Sequence, residues 1–325
     1  MLDIDIKSPE PRISYKDNIF IIGSCFTEHI GGGLAQLKFP ILQNPNGILF
    51  DPLSVCKSLV SYIHCKQYNK DDLFQLNELW QSWQHHSIFS GTDQDQVLQN
   101  INQSQLSAHA FLQKADWLII TLGSSFSYHL TETNESVANC HRAPSKWFSK
   151  HLTGIDEMRY SINSCLSELF QLNPVLKVIF TVSPVRHIRD GVIENNRSKA
   201  RLIETVHQII TESDRLYYFP AYELVIDVLR DYRFYDIDLV HPNYTATNFV
   251  FEKFIECYIN KEDLTVMEEI KDIIKAFKHK PFQPSTQAHR KFIEIYLSKI
   301  KQFQQKHPHI DLVTEEAYFS KSLNA

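Results

Sequence analysis

The chain has 325 residues and a formal net charge of −5 at pH 7. Hydrophobic residues account for 43% of the sequence and charged residues for 22%, which is ordinary for a globular protein with a sizeable core. The sequence contains no long run of Lys and Arg, so it does not predict a surface that binds nucleic acid.

The N-terminus and the cysteines bear on where the protein works. Residues 1–15 carry acids and prolines where a signal peptide needs an apolar stretch, and no segment approaches the roughly 18 apolar residues of a membrane-spanning helix. The cysteines are scattered without Cys-x-x-Cys spacing, which is typical of reduced thiols. We therefore expect a cytoplasmic protein that does not contact membranes and uses no metal or cofactor.

Three apolar runs, at 19–22, 117–120 and 178–182, predict buried strands. They lack the alternation of half-exposed strands, as expected when helices cover both faces of a parallel sheet. Weaker runs at 39–42 and 216–219 predict two further strands.

Helical periodicity fills the intervals between these strands, at 52–63, 198–213 and 245–259. Alternating strands and helices predict an α/β fold with a parallel sheet. The polar segment 65–110 is long for a loop, so we expect it to contain helix or to form an insertion over the site. Its two neighbouring tryptophans either bind a sugar or an acyl group or belong to the core.

The pattern changes near residue 262, where two helical repeats begin at 262–277 and 286–306. We therefore expect an α/β domain over residues 1–261 and a C-terminal helical extension over 262–325. The helices of the extension either pack on the sheet domain or serve a partner.

A candidate nucleophile lies directly after the first predicted strand. There Gly23-Ser24-Cys25-Phe26 leads into a helical pattern over 27–37, which places a hydroxyl and a thiol at a helix N-terminus. Free backbone N–H groups and the helix dipole at such a position lower a thiol pKa and stabilise an oxyanion. A strand–Gly–Ser turn is common, so this feature alone does not identify an enzyme.

A candidate base lies near the end of the predicted sheet, where Asp238 precedes His241 by three residues. An Asp at this distance can hold the imidazole in one tautomer and stabilise its charged form, so that the His acts as a general base. Such a pair alone is a weak signal, but the Gly-Ser-Cys-Phe turn near the start and this pair near the end together reproduce a known layout.

These motifs together resemble the GSCFA family, which belongs to the SGNH (GDSL-like) hydrolase superfamily. The resemblance covers roughly residues 10–260 and implies a three-layer α/β/α, flavodoxin-like fold with a parallel sheet. The last superfamily block, Asp-x-x-His, matches at Asp238 and His241. Besides the first turn, the stretches that carry the resemblance are Asn44-Pro45-Asn46-Gly47, Thr121-Leu122-Gly123-Ser124-Ser125-Phe126, Asn139-Cys140-His141, Thr181-Val182-Ser183-Pro184-Val185-Arg186-His187 and Asp231-Tyr232-Arg233-Phe234-Tyr235.

The resemblance also implies roles at individual positions. The superfamily serine aligns without gaps on Cys25, while a slip of one residue would make Ser24 the nucleophile. Gly47 resembles the glycine whose N–H binds the oxyanion. Ser125 stands where the superfamily has Asn, and the loss of one oxyanion donor typically costs about 100- to 1000-fold in rate.

Three more residues are candidates for substrate binding. Arg186 and His187 follow the strand 178–182, at the strand end where α/β proteins bind ligands. They are expected either to hold a carboxylate or phosphate of the substrate or to form a structural ion pair. His141 either lines the same cleft or is a loop histidine with satisfied hydrogen bonds.

The sequence as a whole predicts an SGNH-type acyl-ester enzyme. It would act as an esterase, deacetylase or acyltransferase on a small-molecule or glycan substrate that carries an O-acyl or thioester group. The alternative is an SGNH scaffold with weak or no turnover that binds a glycan or metabolite. The oligomeric state, and the choice between hydrolysis and transfer, stay open at this stage.

Overall fold

The computed structural model describes residues 2–323 of the chain. Strands and helices follow one another as β1 (Ile19–Gly23), α1 (Thr27–Gln36), β2 (Ile41–Gln43), α2 (Pro52–Ile63), β3 (Phe74–Leu76), β4 (Leu79–Gln81), α3 (Gln94–Leu112), β5 (Trp117–Leu122), β6 (Phe126–Leu130), β7 (Ser136–Val137), β8 (Phe148–Leu152), α4 (Ile155–Leu172), β9 (Lys177–Val182), α5 (Val192–Ile210), β10 (Leu216–Phe219), α6 (Ala221–Glu223), α7 (Tyr244–Tyr258), α8 (Leu264–Lys278), α9 (Gln287–Lys306) and α10 (Val313–Leu323).

The main sheet has five parallel strands in the order β10-β9-β5-β1-β2. All five coincide with predicted apolar runs, so the predicted α/β fold with a parallel sheet is confirmed. The chain starts in β1, moves outward to β2, and then crosses back to β5 on the other side of β1. The gap between the carboxyl ends of β1 and β5 is therefore a topological switch point, where flavodoxin-like folds bind their ligands.

Side chains at alternate positions of each strand point to opposite faces of the sheet and pack in two separate cores, so the molecule has three layers. Ile19 and Ile21 of β1 pack with α1, α7 and the C-terminal helices. Phe20 and Ile22 point the other way and pack with α2, α4 and α5. Because both faces are covered, the strands need apolar side chains throughout, and this explains their continuous apolar runs.

The C-terminal helices join the core on the α1 side of the sheet. Ile270, Ile300 and Phe319 are buried in the same cluster as residues of α1. A buried ion pair between Lys38 and Glu315, with Nζ and Oε1 2.8 Å apart, fastens the last helix to the loop after α1. The helices α8 and α9 lie where the sequence predicts them, whereas α10 is an additional helix.

The segment 65–110 contains the β3–β4 hairpin and helix α3, and it lies against the loop after β2. The His86 N–H donates to the Asn46 carbonyl at 2.8 Å. A second small antiparallel sheet, β7-β6-β8, follows β5. Among residues 2–323, no helix is both long enough and apolar enough to cross a membrane.

Candidate active site

The turn after β1 has a backbone conformation that requires glycine. Gly23 has φ +139°, and a Cβ atom there would lie 2.1 Å from the Thr121 carbonyl oxygen. The Gly23 N–H donates to Asn44 Oδ1 at 2.9 Å, and the Ser24 N–H donates to the Thr121 carbonyl at 3.0 Å. These contacts hold the turn between the carboxyl ends of the neighbouring strands β2 and β5.

The two candidate nucleophiles of this turn differ in access. Ser24 is fully buried, and its Oγ has no hydrogen-bond partner among the described residues. Its Cβ packs against Gly123, where an added Cβ atom would stand only 3.0 Å away. Cys25 is only half-buried, so the thiol is the more accessible of the two groups.

The environment of the thiol differs from the expectation drawn from the helix N-terminus. Burial, and secondarily the Glu28 carboxylate, raise the pKa of Cys25. The Lys199 ammonium and the N–H groups of Phe26 and Cys25 itself act in the opposite direction but do not outweigh burial. The predicted lowering of the thiol pKa is therefore wrong, and Cys25 needs a base to become a nucleophile.

The same turn offers two donors for an oxyanion. Hydrogen bonding within α1 begins when the N–H groups of Thr27 and Glu28 donate to the carbonyls of Ser24 and Cys25. The N–H groups of Cys25 and Phe26 have no backbone acceptor within residues 2–323. N–H groups at a helix N-terminus that have no backbone acceptor are suited to bind a developing negative charge.

The oxyanion donors that the family resemblance implies are engaged elsewhere. The Gly47 N–H donates to the Asn44 carbonyl at 2.7 Å and closes a turn. Ser125 is fully buried, its N–H donates to Ser198 Oγ at 2.8 Å, and its hydroxyl lies 3.2 Å from the same oxygen. The geometry therefore does not support Gly47 or Ser125 as oxyanion donors, because their polar groups already have partners.

Asp238 and His241 form a hydrogen-bonded pair. Asp238 Oδ2 lies 2.6 Å from His241 Nδ1, and Oδ1 accepts the N–H groups of Val240 and His241 at 2.9 and 3.0 Å. The His241 N–H, then its ring and the Val240 N–H, lower the pKa of Asp238 to about 2. An ionised carboxylate on Nδ1 keeps the proton there and leaves Nε2 free to act as a base.

The imidazole of His241 makes no hydrogen bond to the nucleophile turn within residues 2–323. Within the described chain, no hydrogen bond joins His241 to Ser24 or Cys25. Burial lowers the pKa values of His29 and His187, and the nearby His241 lowers both further. His29 is one helical turn beyond Cys25, so the charge of His241 is felt on the nucleophile helix. Catalytic hydrogen bonds are often long in free enzymes and shorten when substrate binds.

A cleft of about 470 Å³ opens beside the base, between the loops that follow β5 and β9. Its wall includes Ser124, Arg186, His187 and Val240, and the Arg186 N–H donates to the Val240 carbonyl at 3.3 Å. The Arg186 guanidinium lies 5.9 Å from the Tyr235 ring and pairs with no carboxylate in the described chain.

His187 is the unusual member of this wall. Its Nε2 is buried and has no hydrogen-bond partner in the part of the chain that the structure describes, and its ring meets Phe50 edge-on with centroids 5.4 Å apart. Burial, followed by the charges of Lys199 and His241, lowers its pKa to about 4. His187 is therefore neutral at pH 7 and can accept or donate one hydrogen bond to a bound group.

His141 lies in a different environment from the other two substrate-binding candidates. Its Nε2 is 2.8 Å from the Ser82 carbonyl, and its ring contacts Phe74 and Trp83. The cleft is lined by the two preceding residues, Asn139 and Cys140. His141 thus packs in an aromatic cluster, but it is not a fully satisfied loop histidine, because its buried Nδ1 has no hydrogen-bond partner among residues 2–323.

Sequence reasoning missed Lys199, the buried cation of the site. Lys199 is 1% exposed on α5, and Nζ donates to the carbonyls of Gly123 and Ser183 at 2.6 and 2.7 Å. One signal was available, because Lys199 precedes Leu202 by three residues and so falls on the apolar face of its helix. A lysine on a buried face requires a polar partner in the interior.

Comparisons with known proteins place the chain in a family. The model of the GSCFA family matches residues 18–254, and that of the GSCFA domain protein C-terminal domain matches residues 270–325. A search of curated proteins found no match.

Several solved structures resemble the chain weakly. A mutant acetyl-xylooligosaccharide esterase from Geobacillus Stearmophilus is 14% identical with a TM-score of 0.39, and the match covers 75% of this chain and 95% of that one. A carbohydrate esterase family 3 protein from Talaromyces cellulolyticus is 11% identical with a TM-score of 0.36, with coverage of 79% and 99%. The family 3 carbohydrate esterase of Clostridium thermocellum is 11% identical with a TM-score of 0.32, with coverage of 79% and 98%. Similarity at this level says nothing about activity.

The family match, in contrast, spans well over half of the sequence, and the chain belongs to the GSCFA family.

Proposed function

We propose that this protein is an acyl-ester enzyme of the SGNH type, with Cys25 as nucleophile, His241 as base and Asp238 as the residue that orients the base. One observation carries the proposal. The Arg186 N–H after β9 donates to the Val240 carbonyl and so brings the hydrogen-bonded pair of Asp238 and His241 to the carboxyl edge of the sheet, where the turn after β1 presents a thiol and two N–H groups that have no backbone acceptor within residues 2–323. Nucleophile, oriented base and oxyanion donors are the three parts that acyl transfer requires.

The reaction would proceed in two balanced steps. The Cys25 thiol gives its proton to His241 Nε2 while sulfur bonds to the acyl carbon, and the carbonyl oxygen becomes an oxyanion at the N–H groups of Cys25 and Phe26. When the intermediate collapses, the carbon–oxygen bond to the leaving alcohol breaks and His241 protonates that alcohol. In the second step His241 removes the proton of an attacking water or sugar hydroxyl, the carbon–sulfur bond of the thioester breaks, and His241 returns the proton to the Cys25 sulfur. Water as acceptor gives hydrolysis, and a sugar hydroxyl gives acyl transfer.

A glycan is the substrate class that a second cavity of the molecule favours. A second cavity, of about 660 Å³, has Phe74, Trp83 and Trp147 in its wall together with the polar side chains of Gln75 and Glu132. Indole rings with hydrogen-bonding groups around them suit a sugar, which has apolar C–H faces and a rim of hydroxyls. The Trp147 side chain is 38% exposed and so is open to a ligand.

The second candidate function is binding without turnover, and two observations favour it. The hydroxyl of Ser125 is bonded to Ser198, so it does not stand in for the superfamily's Asn as an oxyanion donor. No hydrogen bond within residues 2–323 joins His241 to Cys25.

Hydrolysis of p-nitrophenyl acetate separates the two functions. The enzyme proposal predicts turnover by the parent, loss of at least about 100-fold in Cys25→Ala, and little loss in Ser24→Ala. Labelling with iodoacetamide and with a fluorophosphonate identifies the nucleophile independently. Equal turnover by the parent and both alanine variants would refute the catalytic role of this turn, and loss only in Ser24→Ala would transfer the role to the serine.

A further inference from the structure

Two arginines in the wall of the cleft beside the base have no charge partner among the described residues. Arg186 and Arg189 both line the cleft of about 470 Å³ between the loops that follow β5 and β9. The ion pairs that arginines form within residues 2–323 involve Arg197, Arg233 and Arg290. Neither of the two cleft guanidiniums donates a hydrogen bond to another described residue. The structural ion pair considered for Arg186 is therefore not formed, and both groups are free to bind a ligand.

The other titratable groups of this wall have partners of their own or are neutral at pH 7. The Lys150 ammonium pairs with the Asp190 carboxylate. Asp51 caps helix α2, where its Oδ1 accepts a backbone N–H at 3.0 Å. Burial lowers the pKa of His187 to about 4 and raises the pKa of Cys140 to about 11, so neither carries a charge. The wall thus keeps two positive charges that no ion pair of the described chain neutralises.

Two free guanidiniums in one cleft suit a phosphate group. A phosphate monoester carries between one and a half and two negative charges at about pH 7, together with three acceptor oxygens. Each guanidinium presents five N–H donors in a planar fork that matches the spacing of phosphate oxygens. Arg186 is half-buried and Arg189 is exposed, so water weakens the contact of Arg186 less.

The cleft adjoins both parts of the proposed reaction site. Its wall includes Val240, which precedes the base His241, and Ser124, which follows Gly123. Gly123 packs against the nucleophile turn, because a Cβ atom added to it would stand 3.0 Å from Ser24 Cβ. A phosphate in the cleft would therefore hold its molecule at the edge of the sheet where the ester reaction is proposed.

The cleft also shares a strand with the aromatic cavity of about 660 Å³. Phe126 and Tyr128 of β6 line the cleft, and Leu130 of the same strand lines the aromatic cavity. Alternate residues of a strand point to the same side, so one face of β6 runs from the cleft to the cavity. An extended glycan that carries a phosphate has a continuous surface to bind along this face.

We propose that the cleft binds a phosphate group of the substrate through Arg186 and Arg189, so that the substrate is a phosphorylated acyl glycan. This inference deepens the proposed function and rests on it in treating the bound molecule as the substrate of the ester reaction. Binding of the phosphate itself requires no turnover.

The test is isothermal titration calorimetry with phenyl phosphate at about pH 7 and low ionic strength, with benzoate as the singly charged comparison. The parent should bind phenyl phosphate about tenfold more tightly than benzoate. Arg186→Gln should weaken the binding of phenyl phosphate about 10- to 100-fold, because hydrogen bonds between a guanidinium and an anion are among the strongest in proteins. Arg189→Gln should weaken it about three- to tenfold, because water screens an exposed charge.

Arg197→Gln is the matched control. Arg197 is exposed on α5, directly after the same loop, and its guanidinium contacts both carboxylate oxygens of Glu194 at 2.8 and 3.0 Å. Its replacement removes the same charge from the protein and should leave the affinity for phenyl phosphate unchanged. Equal weakening in Arg197→Gln would overturn the proposal, since the effect would then come from net charge alone. A parent that binds no phenyl phosphate, or binds benzoate equally well, would also overturn it.

Circular dichroism checks that each variant is folded. If Arg186→Gln does not fold, the exposed Arg189 carries the test, and an Arg189→Gln protein with the parent's affinity overturns the proposal. The two proposals fail in different ways. A parent that hydrolyses p-nitrophenyl acetate but binds no phenyl phosphate overturns only the phosphate site. A parent that binds phenyl phosphate with the expected losses in the variants, but hydrolyses no ester, refutes the enzyme proposal and supports the phosphate site.

Discussion

The replacement Asp238→Asn tests the proposed base most directly. The carboxylate now accepts three hydrogen bonds, of which the shortest, at 2.6 Å, comes from the ring of His241. An Asn side chain of the same shape can turn its NH₂ group toward Nδ1. The ring would then carry its proton on Nε2, and the lone pair that takes the proton of Cys25 would be lost.

The size of the effect follows from the exposure of the pair. In a buried triad the equivalent change costs about 10⁴-fold in kcat. The side chains of Asp238 and His241 are 46% and 50% exposed, so water competes for both and weakens the orienting hydrogen bond. We therefore expect a smaller loss, of about 100- to 1000-fold in kcat/KM.

The assay is hydrolysis of p-nitrophenyl acetate across pH 5–9, with Asp231→Asn as the control. Asp231 is also exposed on a loop, accepts the Arg233 N–H at 2.9 Å and pairs with the Arg233 side chain at 2.9 Å. Its replacement should change kcat/KM by less than about threefold. If Asp238→Asn loses no more activity than Asp231→Asn, the reasoning that makes His241 the base is refuted.

Two further predictions concern stability. Gly23→Ala should lower the free energy of unfolding by about 3 kcal/mol or prevent folding, because its Cβ would overlap a carbonyl at a positive φ. Gly32→Ala is the control and should be tolerated, because nothing lies within 4 Å of its added Cβ. Equal urea midpoints for the two variants would contradict this prediction. His187 has a pKa of about 4 in the folded protein and near 6.5 in the unfolded chain. The unfolded state therefore binds the proton first as the pH falls. The stability that neutral His187 contributes is lost between about pH 6.5 and pH 4. Between pH 7 and pH 5 the free energy of unfolding of the parent should fall by about 2 kcal/mol more than that of His187→Gln, as measured by urea titration at the two pH values. Equal decreases in the two proteins would show that His187 does not titrate in this way.

The sequence by itself determined the parts of this protein that depend on local pattern. Buried parallel strands need apolar side chains on both faces, so β1, β5 and β9 stand out as uninterrupted runs. The contact between Asp238 and His241 spans three residues, and the glycine of the nucleophile turn is adjacent to its strand. Such short separations leave a visible spacing in the sequence.

The tertiary structure decided how the groups of the site are used. Whether Ser24 or Cys25 is accessible depends on Gly123, about 100 residues further along the chain. The hydroxyl of Ser125 is bonded to Ser198, and the ammonium of Lys199 reaches the carbonyls of Gly123 and Ser183, because α5 packs across the ends of β5 and β9. Hydrogen-bond partners and burial are set by contacts between segments distant in sequence, and a single sequence carries no spacing that reveals them.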